Sequence, residues 1–259
     1  MGLVTITTQD DIGFITLNNE RKKNALSEPL IHEIIAAFSD FKKRGIRAAI
    51  LRAQPGAQVW SAGHDVTELP ESGRDPLEWE DPLRYLIREI ENFPAPVIAM
   101  IEGTVWGGAC EAAFSCDLIV AAPNVTFAVT PAKLGVPYNV SGMVTFLNAA
   151  SLRIIKEMAF TAQPMGAERA ERLGMINYVV PTEELEAYTV KLARQMLANA
   201  PLSISVMKEQ LRILAGARPM SPQGFERVQG LRRVVYSSDD YQEGIKAFKE
   251  KRKPVYTGK

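Results

Sequence analysis

Histidine is scarce in this chain of 259 residues, which holds only His32 and His64, and cysteine is no commoner, with Cys110 and Cys116 alone. A zinc site built on several histidines is out of reach, and two cysteines do not make up the missing ligands, so no metal is expected. Two cysteines in a chain long enough to be stable without staples argue against a secreted disulfide scaffold and fit a reducing cytoplasm. An excess of charge of one sign is missing too. Thirty basic and thirty acidic residues cancel to a formal net charge of zero, so no overall field draws the chain to nucleic acid or to an anionic membrane. Any anionic ligand has to be held by local charge. No apolar run reaches the roughly 18 residues of a membrane span, and the stretch from Met1 to Asp11 lacks the basic and apolar regions of a signal peptide. Neither a GxSxG elbow, nor a P-loop, nor a dinucleotide GxGxxG occurs, so hydrolysis by a serine nucleophile, ATP and NAD have no obvious foothold.

What is present is an ordinary globular composition, 46% hydrophobic and 23% charged, enough for one large domain or a large one with a small appendage. Residues 3–17 alternate β-branched and polar side chains around Asp10-Asp11-Ile12-Gly13, the pattern of a hairpin. Ser27 is a candidate N-cap, and Leu30, Ile31, Ile34, Ile35 and Phe38 follow at helical spacing as far as Gly45. His32 on this helix reads as a satisfied structural histidine. A buried strand at Ala48–Leu51 precedes a polar loop running to Asp75, and a second helix is expected over Pro82–Phe93. Short apolar strands follow at Val97–Ile101, Leu118–Ala121 and Thr126–Val129, with short helices between them. Past residue 142 the pattern is almost wholly helical. The expectation is an α/β core over residues 1–195 and a helical C-terminal region over 196–259, with a basic cluster at Lys249–Lys253.

Two segments look unlike either core or surface. Ser61-Ala62-Gly63-His64-Asp65 is built of small residues that let a ligand approach the backbone. Gly103 to Glu111 carries a strand through Gly107-Gly108 into an alanine-rich helix, whose first N–H groups are unpaired and favour negative charge. A lone GG pair is also compatible with tight strand–helix packing.

Together these segments resemble the crotonase (enoyl-CoA hydratase/isomerase) superfamily, and the likeness extends from the hairpin through Arg21-Lys22-Lys23-Asn24-Ala25-Leu26 to Lys251-Arg252-Lys253-Pro254. The resemblance implies a spiral of ββα turns with a C-terminal helical trimerisation region, assembling as a homotrimer or dimer of trimers. It also implies that the N–H groups of His64 and Gly108 bind a thioester oxygen. Removing a proton or carbon dioxide from the α-carbon of a thioester places charge on that oxygen, and losing one preorganised donor costs about 2.7–4 kcal/mol of barrier. No separate cofactor is then expected, CoA being part of the substrate.

Superfamily membership leaves the reaction open. Hydratases use two glutamates as general base and acid; the first aligns with Glu111, but the second aligns with Pro131, which cannot titrate. Glu111 is read as a structural acceptor or a leftover of that chemistry. More narrowly, SAGHDVTELP at 61–70, GRDPLEWEDPLR at 73–84, GTVWGGACE at 103–111 and TPAKLGVPYN at 130–139 resemble the branch that decarboxylates methylmalonyl-CoA to propionyl-CoA. That likeness implies a carboxylate held perpendicular to the thioester plane and an enolate protonated at carbon. Thr130 and Tyr138 are the candidates to orient the carboxylate, with a packed aromatic whose hydroxyl reaches the surface as the alternative for Tyr138. The resemblance further places Ala62, Gly63, His64, Asp65 and Val66 along the CoA chain and Lys251 on a phosphate. Arg21 and Lys22 read as an exposed basic loop or as further phosphate contacts. Hydration, isomerisation, decarboxylation of ethylmalonyl-CoA and a catalytically silent acyl-CoA-binding module remain the competing readings.

Overall fold

A computed structural model describes residues 2–70 and 73–259; Met1, and Glu71 and Ser72 of the loop expected before Asp75, lie outside the described residues. The chain opens with strands β1 (Val4–Gln9) and β2 (Ile12–Leu17), helix α1 (Glu28–Lys43) and strands β3 (Ala48–Ala53) and β4 (Val59–Ser61). Helix α2 (Pro82–Asn92), strands β5 (Val97–Ile101) and β6 (Thr104–Trp106), and helix α3 (Gly108–Phe114) follow. Next come β7 (Leu118–Ala121), β8 (Thr126–Ala128), α4 (Val140–Ala149), α5 (Leu152–Thr161), β9 (Met165–Gly166), α6 (Ala167–Arg172) and β10 (Tyr178–Val179). Helices α7 (Leu185–Leu197), α8 (Pro201–Gly216), α9 (Pro222–Tyr236) and α10 (Asp239–Lys249) complete the chain.

The expected hairpin, strands and helices are present, with two kinds of difference. The polar loop after β3 contains a further strand, β4, because three residues of strand carry no periodicity to read, whereas β6 is the strand expected to lead through Gly107-Gly108 into a helix. Helices α4 and α5 also lie where only a general helical character was expected. The boundary expected at residue 195 falls in the last turn of α7. His32 is exposed on α1, 4.0 Å from the Glu28 carboxylate, rather than packed.

The strands form two sheets, ordered β1-β2-β3-β5-β7-β10 and β4-β6-β8-β9. Each turn of the chain adds one strand to the large sheet, one to the small sheet and then helix: β3, β4, α2; β5, β6, α3; β7, β8, α4. This is the ββα spiral. In the large sheet β2, β3, β5 and β7 run parallel, and their near-continuous apolar runs fit strands covered on both faces. The apolar stripe of α1, with Leu30, Ile34, Phe38 and Phe41 all buried, packs on this layer, and the Phe38 ring lies 5.2 Å from that of Phe93.

The parallel neighbours β4, β6 and β8 set the site, because chain leaving their C-terminal ends emerges along one edge. That edge delivers Ala62–Val66 after β4, Gly107–Gly108 after β6 and Thr130 after β8.

Helix α8 stands apart energetically, since none of its residues is buried and only Ile204, Ser205 and Lys208 are half-covered. Its anchor is Lys208, whose ammonium donates to the Asp117 carboxylate at 2.7 Å and to the carbonyls of Ile90 and Ala95 at 3.1 Å. All three ammonium hydrogens are thereby used. Replacing Lys208 with Met removes all three bonds, leaves a partly exposed carboxylate without its ammonium partner and should cost about 1 kcal/mol. Chemical denaturation measures that loss, and hydrogen exchange should show α8 amides opening before those of α1.

Candidate active site

The loop after β4 is held by the segment that precedes α1. Asn24, fully buried, donates its amide to the Trp60 carbonyl at 3.0 Å and accepts from the Asn19 N–H at 2.8 Å. Ser61 Oγ donates to the Asn24 carbonyl at 2.6 Å and accepts from the Gly63 N–H at 3.2 Å. Backbone bonds from Ala62 N to Lys23 O and from Leu26 N to Gly63 O close the clamp. Within it, Gly63 has φ +84°, and a Cβ there would fall on the Trp106 carbonyl and lie 2.9 Å from the Gly108 N atom. Gly107, at φ +53°, makes the corresponding turn on the other side. Both positions demand glycine, one for close approach and both for the left-handed backbone.

This approach brings the two expected donors together. A Cβ placed on Gly108 would stand 3.5 Å from the His64 N atom. Neither N–H donates to a protein acceptor among the described residues. Gly108 opens α3, so its N–H belongs to the unpaired first turn. The pair of N–H groups forms part of the wall of a cavity of about 730 Å³, which Ala62, Asp65, Val66, Thr130, Pro131 and Tyr138 also line. A larger cleft of about 990 Å³ between α9 and the C-terminus contains none of these groups. Lys251 is exposed, adopts φ +55° and is not in the wall, whereas its neighbours Arg252 and Pro254 are, together with Lys22, Lys23 and Lys133. Arg21 is exposed and outside the wall.

Each titratable group has a definite state. Glu111 is fully buried and clamped by Arg84, whose two terminal nitrogens donate to its two oxygens at 2.5 Å each. Burial works against the guanidinium charge, but the Glu111 carboxylate more than offsets it and raises the Arg84 pKa. Removing either partner of such a pair costs about 3–5 kcal/mol. Tyr138 is buried rather than hydroxyl-outward, its ring 4.9 Å from that of Phe146 and its hydroxyl without a hydrogen-bond partner among the described residues. Burial, reinforced by the Glu111 charge, pushes the phenol well above its ordinary range. It is therefore a neutral donor. Burial likewise pushes the Cys110 thiol up to about 12 and raises Cys116 further, so neither is a nucleophile. No group of three or more His, Cys, Asp or Glu side chains gathers as a metal site among the described residues.

His64 contributes more than its backbone. Its Nδ1 lies 3.1 Å from the Asp65 carbonyl and its Nε2 3.0 Å from Asp81 Oδ2. Burial disfavours the imidazolium, but the hydrogen bond and charge of Asp81 outweigh it, with smaller help from the Asp65 carbonyl and Glu68, and the pKa is raised. Asp65 is turned away from the ring: its carboxylate accepts from the Thr67 N–H, the Thr67 hydroxyl and Lys22. Burial raises the Asp65 pKa, but these hydrogen bonds lower it more. Asp81, Leu83 and Arg84 were not anticipated as site residues. The Asp81-Pro82 pair was legible only as a helix start, with Pro in the first turn.

Fold and site define a class. A family model for enoyl-CoA hydratase/isomerase matches residues 7–259, and the chain belongs to that family. It is 50% identical over 255 residues, 98% of each protein, to methylmalonyl-CoA decarboxylase of Escherichia coli strain K12. Identity to carnitinyl-CoA dehydratase of Escherichia coli O157:H7 is 33% over 257 residues, again 98% of each. A solved structure of methylmalonyl-CoA decarboxylase in complex with 2-nitronate-propionyl-CoA superposes with a TM-score of 0.98 at 49% identity, covering 99% of each chain.

The raised His64 pKa has a sign that can be checked. Its unfolded value is near 6.5, so the stabilisation from the Asp81 pairing is complete below that pH and is lost as pH rises through the higher folded value. Proton NMR titration of the imidazole resonances, assigned with His32→Gln, should place His64 above 6.5. Asp81→Asn should bring it below, since burial then acts without the opposing carboxylate.

Proposed function

We propose that this protein decarboxylates methylmalonyl-CoA to propionyl-CoA through a thioester enolate. The carrying observation is the close approach of the His64 and Gly108 backbones in one cavity wall, with Glu111 on the same helix as Gly108 held at both oxygens by Arg84. In this reading the thioester oxygen accepts from both donors. The bond between the α-carbon and the carboxylate breaks, its electrons enter the thioester as an enolate, and neutral carbon dioxide departs. The enolate then takes a proton at the α-carbon. Charge develops where fixed dipoles already point, which is how such sites lower a barrier.

On the carboxylate side, Thr130 and the neutral Tyr138 hydroxyl can donate without removing a proton, so they orient the departing group instead of acting as bases. Pro131 offers nothing titratable. Ala62 to Val66 line the CoA chain with mostly small or apolar groups, and the exposed lysines and arginine of the cavity wall stand where it opens to solvent. Lys251, beside the wall residue Arg252 but outside the wall itself, is the phosphate ligand we propose from its place in the basic tail, with Lys22 and Arg252 as the wall residues that share the task. No cofactor or metal is part of this reading. The apolar side chains that α8 and α9 present outward, Leu202, Leu211, Leu214 and Val234 among them, support a homotrimer or dimer of trimers. No helix among the described residues is long and apolar enough to cross a membrane, and we place the protein in the cytoplasm, without nucleic-acid or membrane partners.

Hydration is the second reading, favoured by the 33% identity to a dehydratase and by the presence of Glu111. It needs a free carboxylate, which the bidentate Arg84 contact does not leave.

Incubation of the purified protein with methylmalonyl-CoA, and separately with crotonyl-CoA, followed by mass spectrometry, separates the readings. Propionyl-CoA from the first and no change in the second is expected; hydration of crotonyl-CoA alone would overturn the proposal, and tight binding with no turnover would favour a silent module. Thr130→Val should lower kcat roughly tenfold, a loss equivalent to one hydrogen bond to a charged group. An unchanged rate and stereochemical outcome would remove Thr130 from the mechanism.

A further inference from the structure

The first turn of α2 touches the site at three successive points. Asp81 holds the His64 ring, Leu83 Cδ2 lies 2.7 Å from where a Cβ on Gly108 would stand, and Arg84 clamps Glu111. The Asp81 carboxylate has two separate duties. Oδ1 accepts from the Leu83 N–H at 2.9 Å and so caps the helix, while Oδ2 faces His64 Nε2 at 3.0 Å.

A backbone carbonyl sits at Nδ1 and a carboxylate at Nε2, and both groups only accept. The imidazolium alone satisfies both at once, and the Asp81 carboxylate favours that form over the neutral ring. The ring then bridges the Asp65 carbonyl to the cap of α2, spanning the loop that carries the His64 N–H.

We propose that Asp81 is a positioning residue for the thioester-oxygen site, acting through the His64 imidazolium to fix the peptide that carries the His64 N–H. The inference rests on the enolate reading above. It assigns a function to the His64 side chain, which backbone donation alone does not require, and it makes the start of α2 a brace for the oxyanion site.

Asp81→Ser separates the two duties, because serine caps a helix as well as aspartate does but is too short to reach the ring. Affinity for 2-nitronate-propionyl-CoA, a planar anion conjugated with the thioester, is compared with affinity for propionyl-CoA in the wild type, Asp81→Ser, His64→Ala and the double variant. The ratio of the two affinities should fall roughly tenfold in Asp81→Ser, the loss of one charge-assisted hydrogen bond, with propionyl-CoA binding falling less and thermal stability losing only the contribution of the His64 pairing. His64→Ala, which keeps the backbone N–H, should show a similar fall, and adding Asp81→Ser to it should cause no further loss. An unchanged ratio in Asp81→Ser, or an equal fall in both backgrounds, would overturn the proposal. If Asp81→Ser is unstable, Asp81→Asn is read in the same cycle. A wild type with no preference for the nitronate would withdraw the enolate reading itself and this inference with it, whereas a preference kept by Asp81→Ser removes only the inference.

Discussion

The close passage of the Gly63–His64 peptide over the Gly107–Gly108 turn is the constraint on which the rest depends. Two chain segments more than 40 residues apart meet backbone to backbone, with no room for a side chain between Gly63 and the Trp106 carbonyl. Only adjacent parallel strands bring their ends to one edge in this way, and β4, β6 and β8 are such neighbours. Clamp residues Asn24 and Ser61 then use hydrogen bonds to fix a loop that has little apolar area of its own. The loop is thus held by hydrogen bonds at Ala62, Gly63 and Leu26, while the His64 and Gly108 N–H groups, both of residues in the cavity wall, have no protein acceptor among the described residues.

Much of this was legible in the sequence, for reasons that differ by element. The hairpin, α1 and the parallel strands announced themselves through periodicity and bounding turns, and the glycines of Ala62-Gly63-His64 and Gly107-Gly108 marked a close approach before any geometry was known. Strand β4 was not separable from loop, because three residues of β structure have no period, and β6 was legible only from its place before a glycine pair and an alanine-rich helix. The partners of His64 were also invisible. Asp81 lies 17 positions along the chain, and nothing in Asp81-Pro82 distinguishes a helix cap from a helix cap that also holds a ring. Arg84 read as one more charged residue on an amphipathic helix until burial beside Glu111 gave it a partner.

Electrostatics explain why a carboxylate and a phenol can sit in one apolar enclosure without disabling it. Glu111 is fully buried, and Arg84 pairs with it bidentately, which is what makes such a group tolerable in an apolar interior. Burial, with Glu111 adding to it, holds the Tyr138 phenol well above its ordinary range, so the hydroxyl remains a donor toward an anionic group in the cavity. An unpaired glutamate here would instead compete for that hydroxyl or act as a base. Within the proposed reading, Arg84, which contributes no chemistry of its own, bears on the reaction class as much as the lack of a titratable group at Pro131.

The C-terminal third does more than present an outer surface. Arg232 on α9 grips Asp75 with two bonds of 2.6 and 2.7 Å, Tyr236 accepts through its carbonyl from the Gly73 N–H, and Tyr241 donates to the Pro70 carbonyl at 2.6 Å. Asn139 adds a bond to the Leu77 carbonyl at 2.8 Å. All four contacts secure the segments flanking Glu71 and Ser72, and the chain after Asp75 feeds directly into Asp81. Because Asp81 holds the His64 ring, the packing of α9 and α10 reaches the thioester-oxygen site through a short covalent path and one ion pair. Helical packing at the C-terminus and the geometry of the two N–H groups are consequently parts of the same structure.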